Sequence, residues 1–160
     1  MVPPALHDVA SDRLAACDQR YTPLRRALVT TLADAGRPLT VPELLGAIPH
    51  LALSSAYRNV AALVDAGVVR RVVGTDERAR FELAEALSSH HHHLTCERCG
   101  AVEDVAPSSR LERAVADAAR VAAGELGYVV RAHRLDLVGV CPRCARAGGG
   151  NPGEGVGSAP

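Results

Sequence analysis

The sequence contains no lysine and no tryptophan, and its 160 residues include only three tyrosines and one phenylalanine. All 18 cationic side chains are therefore arginines, and 18 carboxylates balance them to a formal net charge of zero. This balance argues against indiscriminate binding to polyanions, although cations can still gather on one face. No apolar run approaches the roughly 18–20 residues that cross a bilayer, and residues 1–4 do not resemble a secretory signal. We expect a soluble, cytoplasmic protein with no membrane partner.

Cysteine and histidine carry most of the chemical information. Four of the five cysteines form two tight pairs, Cys96-x-x-Cys99 and Cys141-x-x-Cys144, and Cys17 stands apart. In a reducing cytoplasm such pairs are more often metal ligands than disulfides. Each pair can turn two thiolates toward one ion at about 2.3 Å. The pairs therefore predict a structural zinc site that joins the first and last strands of the second half, with a redox pair or chance spacing as alternatives.

The first half of the chain has the pattern of helices followed by a β-hairpin. Apolar spacing predicts four helices, over residues 5–18, from Pro23 after the cap Thr22 to Gly36, from the cap Thr40 to Pro49, and from a cap at Ser54 or Ser55 to Gly67. Two β-prone runs, 68–73 and 79–83, flank a polar turn. This order is typical of a winged helix-turn-helix whose fourth helix is the recognition helix. Another small α+β domain is the alternative.

The second half has the pattern of a small α/β domain. A weak pattern over 85–89 predicts a hinge, and strands at 101–105, 128–130 and 133–140 surround a helix at 109–123. We predict an α+β chain with a winged-helix domain over 1–84, a metal-binding domain over 90–147 and a disordered tail over 148–160.

Four consecutive histidines, His90 to His93, open the second half. If the run is a strand, alternate side chains point to opposite faces, so one run can serve two metal sites. Each site then needs further ligands, for which the candidates are Glu82, Asp104, Glu112 and His133. Mixed imidazole and carboxylate sets suit Zn(II), Fe(II), Mn(II) or Ni(II). A solvated polar run is the alternative.

Six motifs occur in a fixed order along the chain. They are Thr-Pro-Leu-Arg at 22–25, Ser-Ala-Tyr-Arg at 55–58, Asp-Ala-Gly-Val-Val at 65–69, Phe-Glu-Leu at 81–83, the histidine run leading into Cys-Glu-Arg-Cys-Gly at 90–100, and His-x-Leu-x-Leu-Val-Gly at 133–139. In this combination residues 10–145 resemble the ferric uptake regulator family of metal-sensing repressors. The resemblance implies an N-terminal winged helix, a C-terminal dimerisation domain and a homodimer that binds a palindromic DNA operator.

The resemblance also divides the candidate ligands among three sites. The structural zinc set is Cys96, Cys99, Cys141 and Cys144. The regulatory site between the domains matches Glu82, His91, His93 and the further acidic ligand Asp104. The second site, within the dimerisation domain, matches His90, His92, Glu112 and His133. For the regulatory metal, Fe(II) or Zn(II) is favoured over Mn(II) and Ni(II).

The chain departs from the family pattern in two places. Many members supply a regulatory histidine near the start of the third helix, where this chain has Pro38. Zinc sensors often carry a cysteine just before the histidine run, and residues 83–89 contain none. The segment between Glu82 and His91 is longer than in typical iron sensors, which makes Glu85 a candidate additional ligand of the regulatory site.

The predicted DNA contacts lie at the recognition helix and in the loop before the second helix. Tyr57 and Arg58 are expected to reach the major groove, and the resemblance implies that Tyr57 packs on thymine methyl groups. Arg20 matches a cation that reads a narrow minor groove. Ser54 and Ser55, together with the amides of the helix start, suit phosphate contacts, with simple N-capping as the alternative.

These features together predict a metal-dependent repressor of metal-homeostasis or oxidative-stress genes. Its expected partners are a double-stranded DNA operator and a second copy of the chain, with no small-molecule substrate. Arg25, Arg70 and Arg71 are expected to join the basic face; the last two are candidate wing contacts, with one of them facing solvent as the alternative. A metal-storage or metal-chaperone protein is the alternative. A zinc-dependent enzyme is less favoured, because no His-Glu-x-x-His motif occurs.

Overall fold

Each half of the chain builds one three-stranded sheet. The computed structural model describes residues 4–73, 75–76 and 78–147, so the predicted tail over 148–160 lies outside the described residues. The elements are α1 (Pro4–Ala15), α2 (Pro23–Ala35), β1 (Leu39–Thr40), α3 (Val41–Ala47), α4 (Leu53–Asp65), β2 (Val69–Val73), β3 (Ala79–Leu83), a short 3-10 helix (Glu85–Leu87), β4 (His92–Cys96), β5 (Val102–Val105), α5 (Ser109–Leu126), β6 (Asp136–Gly139) and α6 (Pro142–Ala147). This mixed architecture confirms the predicted α+β class.

The start and stop signals of α2 and α3 act as the sequence predicts. The Thr22 hydroxyl accepts a hydrogen bond from the Arg25 amide at 3.3 Å, and α2 ends at Gly36, whose φ of 59° is left-handed. Thr40 caps α3 in a capping box, in which the Glu43 carboxylate accepts a hydrogen bond from the Thr40 amide at 2.7 Å.

The predicted cap of α4 is wrong. Its N-cap is Ala52, which offers no side-chain hydrogen bond, so Ser54 and Ser55 lie within the first turn. The helix begins at Leu53, directly after a turn in which His50 adopts a left-handed φ of 60°, so both serines already occupy helical positions. The amides of that first turn therefore keep no capping side chain of their own chain.

The first sheet has the order β1-β3-β2, and both of its pairings are antiparallel. The β2–β3 hairpin is the predicted wing, whereas the two-residue strand β1 is too short for a sequence pattern to predict. Arg70 in β2 lies directly opposite Glu82 in β3, so their side chains share one face of the hairpin. The hydrophobic core lies entirely in this half, between α1–α4 and the sheet.

The second sheet has the order β5-β4-β6, with β4 antiparallel to β5 and parallel to β6. Because β4 is central, His93 has a register partner on each side, Asp104 in β5 and Asp136 in β6. The parallel pairing also brings the carboxyl ends of β4 and β6 together, where Cys96 lies opposite Gly139. This register fixes the positions of the candidate metal ligands.

Several predicted boundaries in the second half are wrong. Residues 128–130 form no strand, because α5 continues to Leu126 and Gly127 ends it with a left-handed φ of 71°, leaving the following residues exposed. The predicted strand 133–140 shortens to β6, and β4 begins only at His92. The helix α6 and the 3-10 turn over 85–87 were not predicted, and α1 ends three residues earlier than 18.

The second half leaves a large apolar surface uncovered. No residue of α5 is buried, although this helix is amphipathic. Exposed apolar side chains continue along the chain through Tyr128, Val129 and Val130 to Leu137 and Val138 in β6. Within the described residues, no helix has the length and apolar character needed to span a membrane.

Candidate metal centres and nucleic-acid interface

The four paired cysteines converge where β4 and β6 end. Cys96 ends β4, Cys99 follows in the turn, Cys141 comes after β6 and Cys144 lies in α6. Their four sulfurs lie within 4.8 Å of one another, and the Sγ atoms of Cys99 and Cys141 are 3.7 Å apart. A tetrahedral zinc ion with bonds of about 2.3 Å separates its sulfur ligands by about 3.8 Å. The described cysteines therefore have the spacing of a closed zinc site.

Backbone amides favour the thiolate form of this cluster. The amide of Cys141 donates to the Cys96 sulfur at 3.3 Å. This hydrogen bond, with further amides of the cysteine turn, lowers the pKa of Cys96 to about 6. A thiolate is the species that binds a metal ion, so the turn prepares its own ligand.

A second cluster joins the wing to the second sheet. Its members are Glu82 from β3, His91 and His93 from the histidine run, and Asp104 from β5, each with one ligand atom within 4.8 Å of the others. Glu82 Oε2 lies 3.1 Å from His93 Nε2 and 3.3 Å from His91 Nε2. The Asp104 oxygens are 3.9 Å from the same two nitrogens. Both halves of the chain therefore contribute to one four-donor set.

The protonation equilibria of this cluster indicate a site that attracts positive charge. Burial raises the pKa of Glu82, but its hydrogen bond to His93 and the charge of Arg70 outweigh burial and hold the pKa below its usual value. The hydrogen bond to Glu82 raises the pKa of His93 despite burial. Burial, with the nearby charge of Glu82, raises the pKa of Asp104. A divalent cation would replace the proton that these groups otherwise share.

A third cluster lies within the second half. It consists of His90, His92, Glu112 and His133, again with ligand atoms within 4.8 Å of one another. His92 Nε2 is 2.6 Å from one Glu112 oxygen, and the Nε2 atoms of His90 and His133 are 3.3 and 3.4 Å from the other. These last two nitrogens are buried and have no hydrogen-bond partner among the described residues. Two orphaned imidazole nitrogens that face one carboxylate form a donor set that suits a divalent cation.

Hydrogen bonds on the outer side of three rings select the tautomer that metal binding needs. His91 Nδ1 donates to the Ser89 carbonyl at 2.8 Å, and His93 Nδ1 lies 3.3 Å from Asp136 Oδ1. His90 Nδ1 makes a short contact with Glu85 Oε1. An acceptor at Nδ1 holds the proton there and leaves the Nε2 lone pair facing the cluster. A cavity of about 20 Å³, large enough for one water-sized particle, lies between the two histidine clusters.

The structure changes the predicted roles of several neighbours of these clusters. Glu85 contacts His90 of the third cluster, so its prediction as a ligand of the regulatory site is wrong. Pro38 is fully buried in the core, so position 38 offers no ligand. Sequence reasoning missed Asp136, whose role depends on the parallel β4–β6 register; its only signal is an acidic residue in an otherwise apolar strand.

The predicted recognition residues lie on an accessible surface. Tyr57 is 56% exposed, and Arg58, Ser54 and Arg20 are exposed, while Ser55 is partly covered. An open cleft of about 1060 Å³ separates the start of α4 from the cysteine cluster and does not include the histidines.

Two arginines expected on the basic face turn inward instead. Arg25 is buried, and its guanidinium donates to Asn59 Oδ1, the Arg20 carbonyl and Gln19 Oε1 at 3.1, 2.7 and 2.8 Å. It therefore ties the loop that carries Arg20 to α4. Arg70 is directed toward Glu82 and His91, so the prediction that it faces DNA is also wrong for this structure.

Comparisons with known proteins agree with this architecture. The sequence model of the ferric uptake regulator family matches residues 17–138. The peroxide operon regulator of Bacillus subtilis (strain 168) is 26% identical over 148 residues, which cover 89% of this chain and 97% of that protein.

Solved structures give the same result. The Helicobacter pylori ferric uptake regulator Fur, described as having three functional metal binding sites, superposes with a TM-score of 0.71 at 18% identity over 88% of this chain and 91% of that one. A zinc-bound manganese uptake regulator has a TM-score of 0.63 at 30% identity over 85% of this chain and 98% of that one. The chain therefore belongs to the ferric uptake regulator family, whose members are transcription regulators and not enzymes.

Proposed function

We propose that this protein is a homodimeric repressor that binds a palindromic DNA operator when a divalent metal ion occupies the cluster of Glu82, His91, His93 and Asp104. The observation that carries this proposal is the origin of the ligands. Glu82 belongs to the wing hairpin, and the other three belong to the second half, so an ion bound there would join the two halves. We call this cluster the regulatory site.

The cysteine cluster is proposed to hold a structural zinc ion. The spacing of its sulfurs and the lowered pKa of Cys96 support that role. We propose the cluster of His90, His92, Glu112 and His133 as the second site, which the orphaned nitrogens support. A bound ion would supply positive charge and fixed coordination angles at each site.

A metal ion at the regulatory site would restrict the orientation of the winged helix relative to the second half. Without the ion, the contact between Glu82 and His93 depends on a shared proton. A coupling of about 1–3 kcal/mol per site is enough to make DNA affinity depend on metal. In the dimer, two recognition helices must reach successive major grooves about 34–36 Å apart, so each subunit's orientation matters to the whole complex.

The uncovered apolar surface of the second half is the proposed dimer interface. The strand β6 is an edge strand whose outer side pairs with no strand in the described part of the chain. An exposed edge with apolar neighbours favours pairing with another chain. A second copy seated there would cover α5, residues 128–130 and β6.

The predicted DNA contacts remain those at Tyr57, Arg58, Arg20, Ser54 and Ser55. Their exposure supports the assignment. The first turn of α4 adds uncapped amides that suit a phosphate group. Because the net charge is zero, non-specific affinity for DNA should be modest, and binding should depend on the correct geometry.

The signal could be the metal concentration itself or an oxidant. The similarity to a peroxide operon regulator favours testing peroxide as a second input. Zinc has no redox chemistry, so a peroxide response requires a redox-active metal such as iron at the regulatory site. Loss of DNA binding by the Fe(II)-loaded protein on addition of hydrogen peroxide, with the Zn(II)-loaded protein unaffected, would identify an oxidant sensor.

The decisive experiment is a DNA-binding titration at fixed salt. A duplex selected from a random-sequence pool by the metal-loaded protein serves as the probe. We expect binding with Fe(II), Mn(II), Zn(II) or Ni(II) to be at least tenfold tighter than in chelator, which corresponds to about 1.4 kcal/mol. Metal content is measured in the same samples. Equal affinity with and without divalent metal would contradict the proposal.

The recognition surface is tested with the same probe. Tyr57→Ala combined with Arg58→Ala should weaken binding by about 30-fold or more, because base contacts contribute about 1–3 kcal/mol each. Arg110→Ala, which removes an exposed arginine at the start of α5, serves as the control and should bind as the unmodified chain does. Metal binding without any selected duplex would instead favour a storage or chaperone protein.

A further inference from the structure

The Arg70 side chain contacts His91 Nε2, one of the candidate metal-binding atoms of the regulatory site. This arginine lies in β2, and its side chain is 29% exposed. Its Nε donates to Glu82 Oε1, and its Nη2 lies 3.3 Å from His91 Nε2. Glu82 offers its other oxygen, Oε2, to His93, so the carboxylate can serve Arg70 and the cluster together. His91 has no second free nitrogen, because its Nδ1 already faces the Ser89 carbonyl.

The contact between Arg70 and His91 excludes a metal ion from the same nitrogen. His91 Nδ1 faces the Ser89 carbonyl, which only accepts, so Nδ1 carries a proton and Nε2 is the nitrogen whose lone pair a metal ion would use. The Arg70 guanidinium has only donors, and its Nη2 lies 3.3 Å from that nitrogen. A metal ion bound at His91 Nε2 would need the same lone pair and would repel the guanidinium charge.

We infer that Arg70 is an internal competitor of the regulatory metal, a built-in cation that must leave His91 before a divalent ion can use it. The inference rests on the proposed function of the regulatory site. Metal binding at His91 must break the contact with Arg70, so a stable contact weakens metal binding. Arg70 would thus raise the metal concentration at which the protein binds DNA.

The position of Arg70 makes this competition relevant to the wing. The residue belongs to the hairpin of the DNA-binding half, and the nitrogen that it holds belongs to the second half. Arg70, paired with Glu82, therefore forms a link between the two halves that differs from a link through metal. The next residue, Arg71, is exposed and pairs across the strand with Phe81 instead.

The test measures metal binding directly rather than DNA binding. The full-length protein, with zinc already bound to its cysteines, is titrated with Mn(II) in competition with a chromophoric chelator. Arg70→Gln should tighten the regulatory site by about tenfold. The second site provides an internal control, since its affinity should not change, and His93→Ala identifies which of the two binding events belongs to the regulatory site. Arg71→Gln removes the same charge from the same strand and should leave both affinities unchanged.

The outcomes separate the inference from the proposed function. Unchanged or weaker Mn(II) binding by Arg70→Gln would overturn the inference, the weaker result meaning that Arg70 helps to hold Glu82 in place. Equal tightening by Arg71→Gln would overturn it as well, because general charge would then explain the effect. If the unmodified chain shows no Mn(II) binding that depends on His93, the proposed function fails. Arg70→Met, which keeps the apolar stem on β2, replaces the glutamine variant if that variant does not fold.

Discussion

At the scale of single residues, His93 shows how one position acquires its chemistry from three elements. Its ring lies between the register partners Asp104 and Asp136, and Glu82 reaches it from the wing. Glu82 and Asp104 face the Nε2 side, whereas Asp136 faces Nδ1. An imidazole held by a carboxylate on its outer nitrogen is a better-oriented and more basic metal ligand. Asp136 therefore positions a ligand without belonging to the four-donor set.

Asp136→Asn should weaken divalent metal binding at the regulatory site. Loss of the carboxylate leaves the His93 ring without its charged outer partner, and removal of such a partner typically costs 10- to 100-fold in metal affinity. Mn(II) competition titrations of the zinc-loaded protein measure this change.

Asp34→Asn is the matched control for this substitution. Asp34 is exposed on α2, away from all three clusters, and undergoes the same chemical change. Its regulatory-site affinity should equal that of the unmodified chain. If the Asp136 variant also keeps that affinity, the outer contact has no role in metal binding.

At the scale of elements, the tip of the wing rests on the first cysteine turn. The Thr75 hydroxyl donates to the Cys96 carbonyl at 3.0 Å. Asp76, which Arg80 holds through two hydrogen bonds of 2.7 and 2.9 Å, packs against Gly100. The hairpin is thus in contact with the proposed zinc site at its tip and with the regulatory site at its base.

Gly100→Ala should destabilise the protein more than Gly36→Ala does. Both glycines have left-handed φ angles, 67° and 59°, so each substitution carries a backbone cost of about 1–2 kcal/mol. A methyl group at position 36 meets open space, whereas at position 100 it collides with the Asp76 side chain. Urea unfolding of the two zinc-loaded variants gives the difference in free energy of unfolding.

If the collision with Asp76 causes the larger destabilisation by Gly100→Ala, removing the Asp76 side chain should relieve it. The double variant Gly100→Ala/Asp76→Ala should then be destabilised only by the backbone cost at residue 100 and by the lost pairing of Asp76 with Arg80. Equal destabilisation by the Gly36 and Gly100 substitutions would show that the wing tip does not rest on the cysteine turn in solution.

At the scale of the whole molecule, the two halves differ in how completely they bury their apolar residues. The first half encloses its own core between four helices and a sheet. The second half exposes its longest helix and its edge strand, and the largest side chains that it buries are metal-ligand candidates such as His92 and His93. A unit with so little apolar burial needs metal ions, a second subunit or both to remain folded.

Val138→Glu should convert the dimer into a monomer. Val138 is 60% exposed in β6 and belongs to the uncovered apolar surface, and a buried unpaired carboxylate in an interface is strongly unfavourable. Sedimentation equilibrium of the zinc-loaded protein measures the molecular mass.

Val73→Glu provides the comparison, because Val73 is 56% exposed in the wing strand β2 and receives the same substitution. This variant should remain dimeric. A dimeric Val138 variant would move the interface away from β6.

The sequence by itself determined the elements whose signals are local. Helix caps at Thr22 and Thr40, the wing hairpin and the two cysteine pairs depend on neighbouring residues, so they could be predicted from spacing and propensity. The grouping of the candidate ligands into three clusters could be predicted as well, because alternation along the histidine run separates His90 and His92 from His91 and His93, and the family resemblance supplied their partners. Their role as metal ligands stays a prediction. Family membership followed from the same ordered motifs.

Tertiary structure decided what depends on pairing between distant segments. The parallel register of β4 with β6 places Asp136 beside His93, and no local pattern contains that register. The inward turns of Arg25 and Arg70 follow from partners on other elements, so a count of arginines cannot separate them from surface cations. The absence of lysine therefore has a structural consequence. The planar guanidinium of Arg25 holds several acceptors at once, whereas the ammonium group of a lysine, on its flexible stem, would not hold them in one plane.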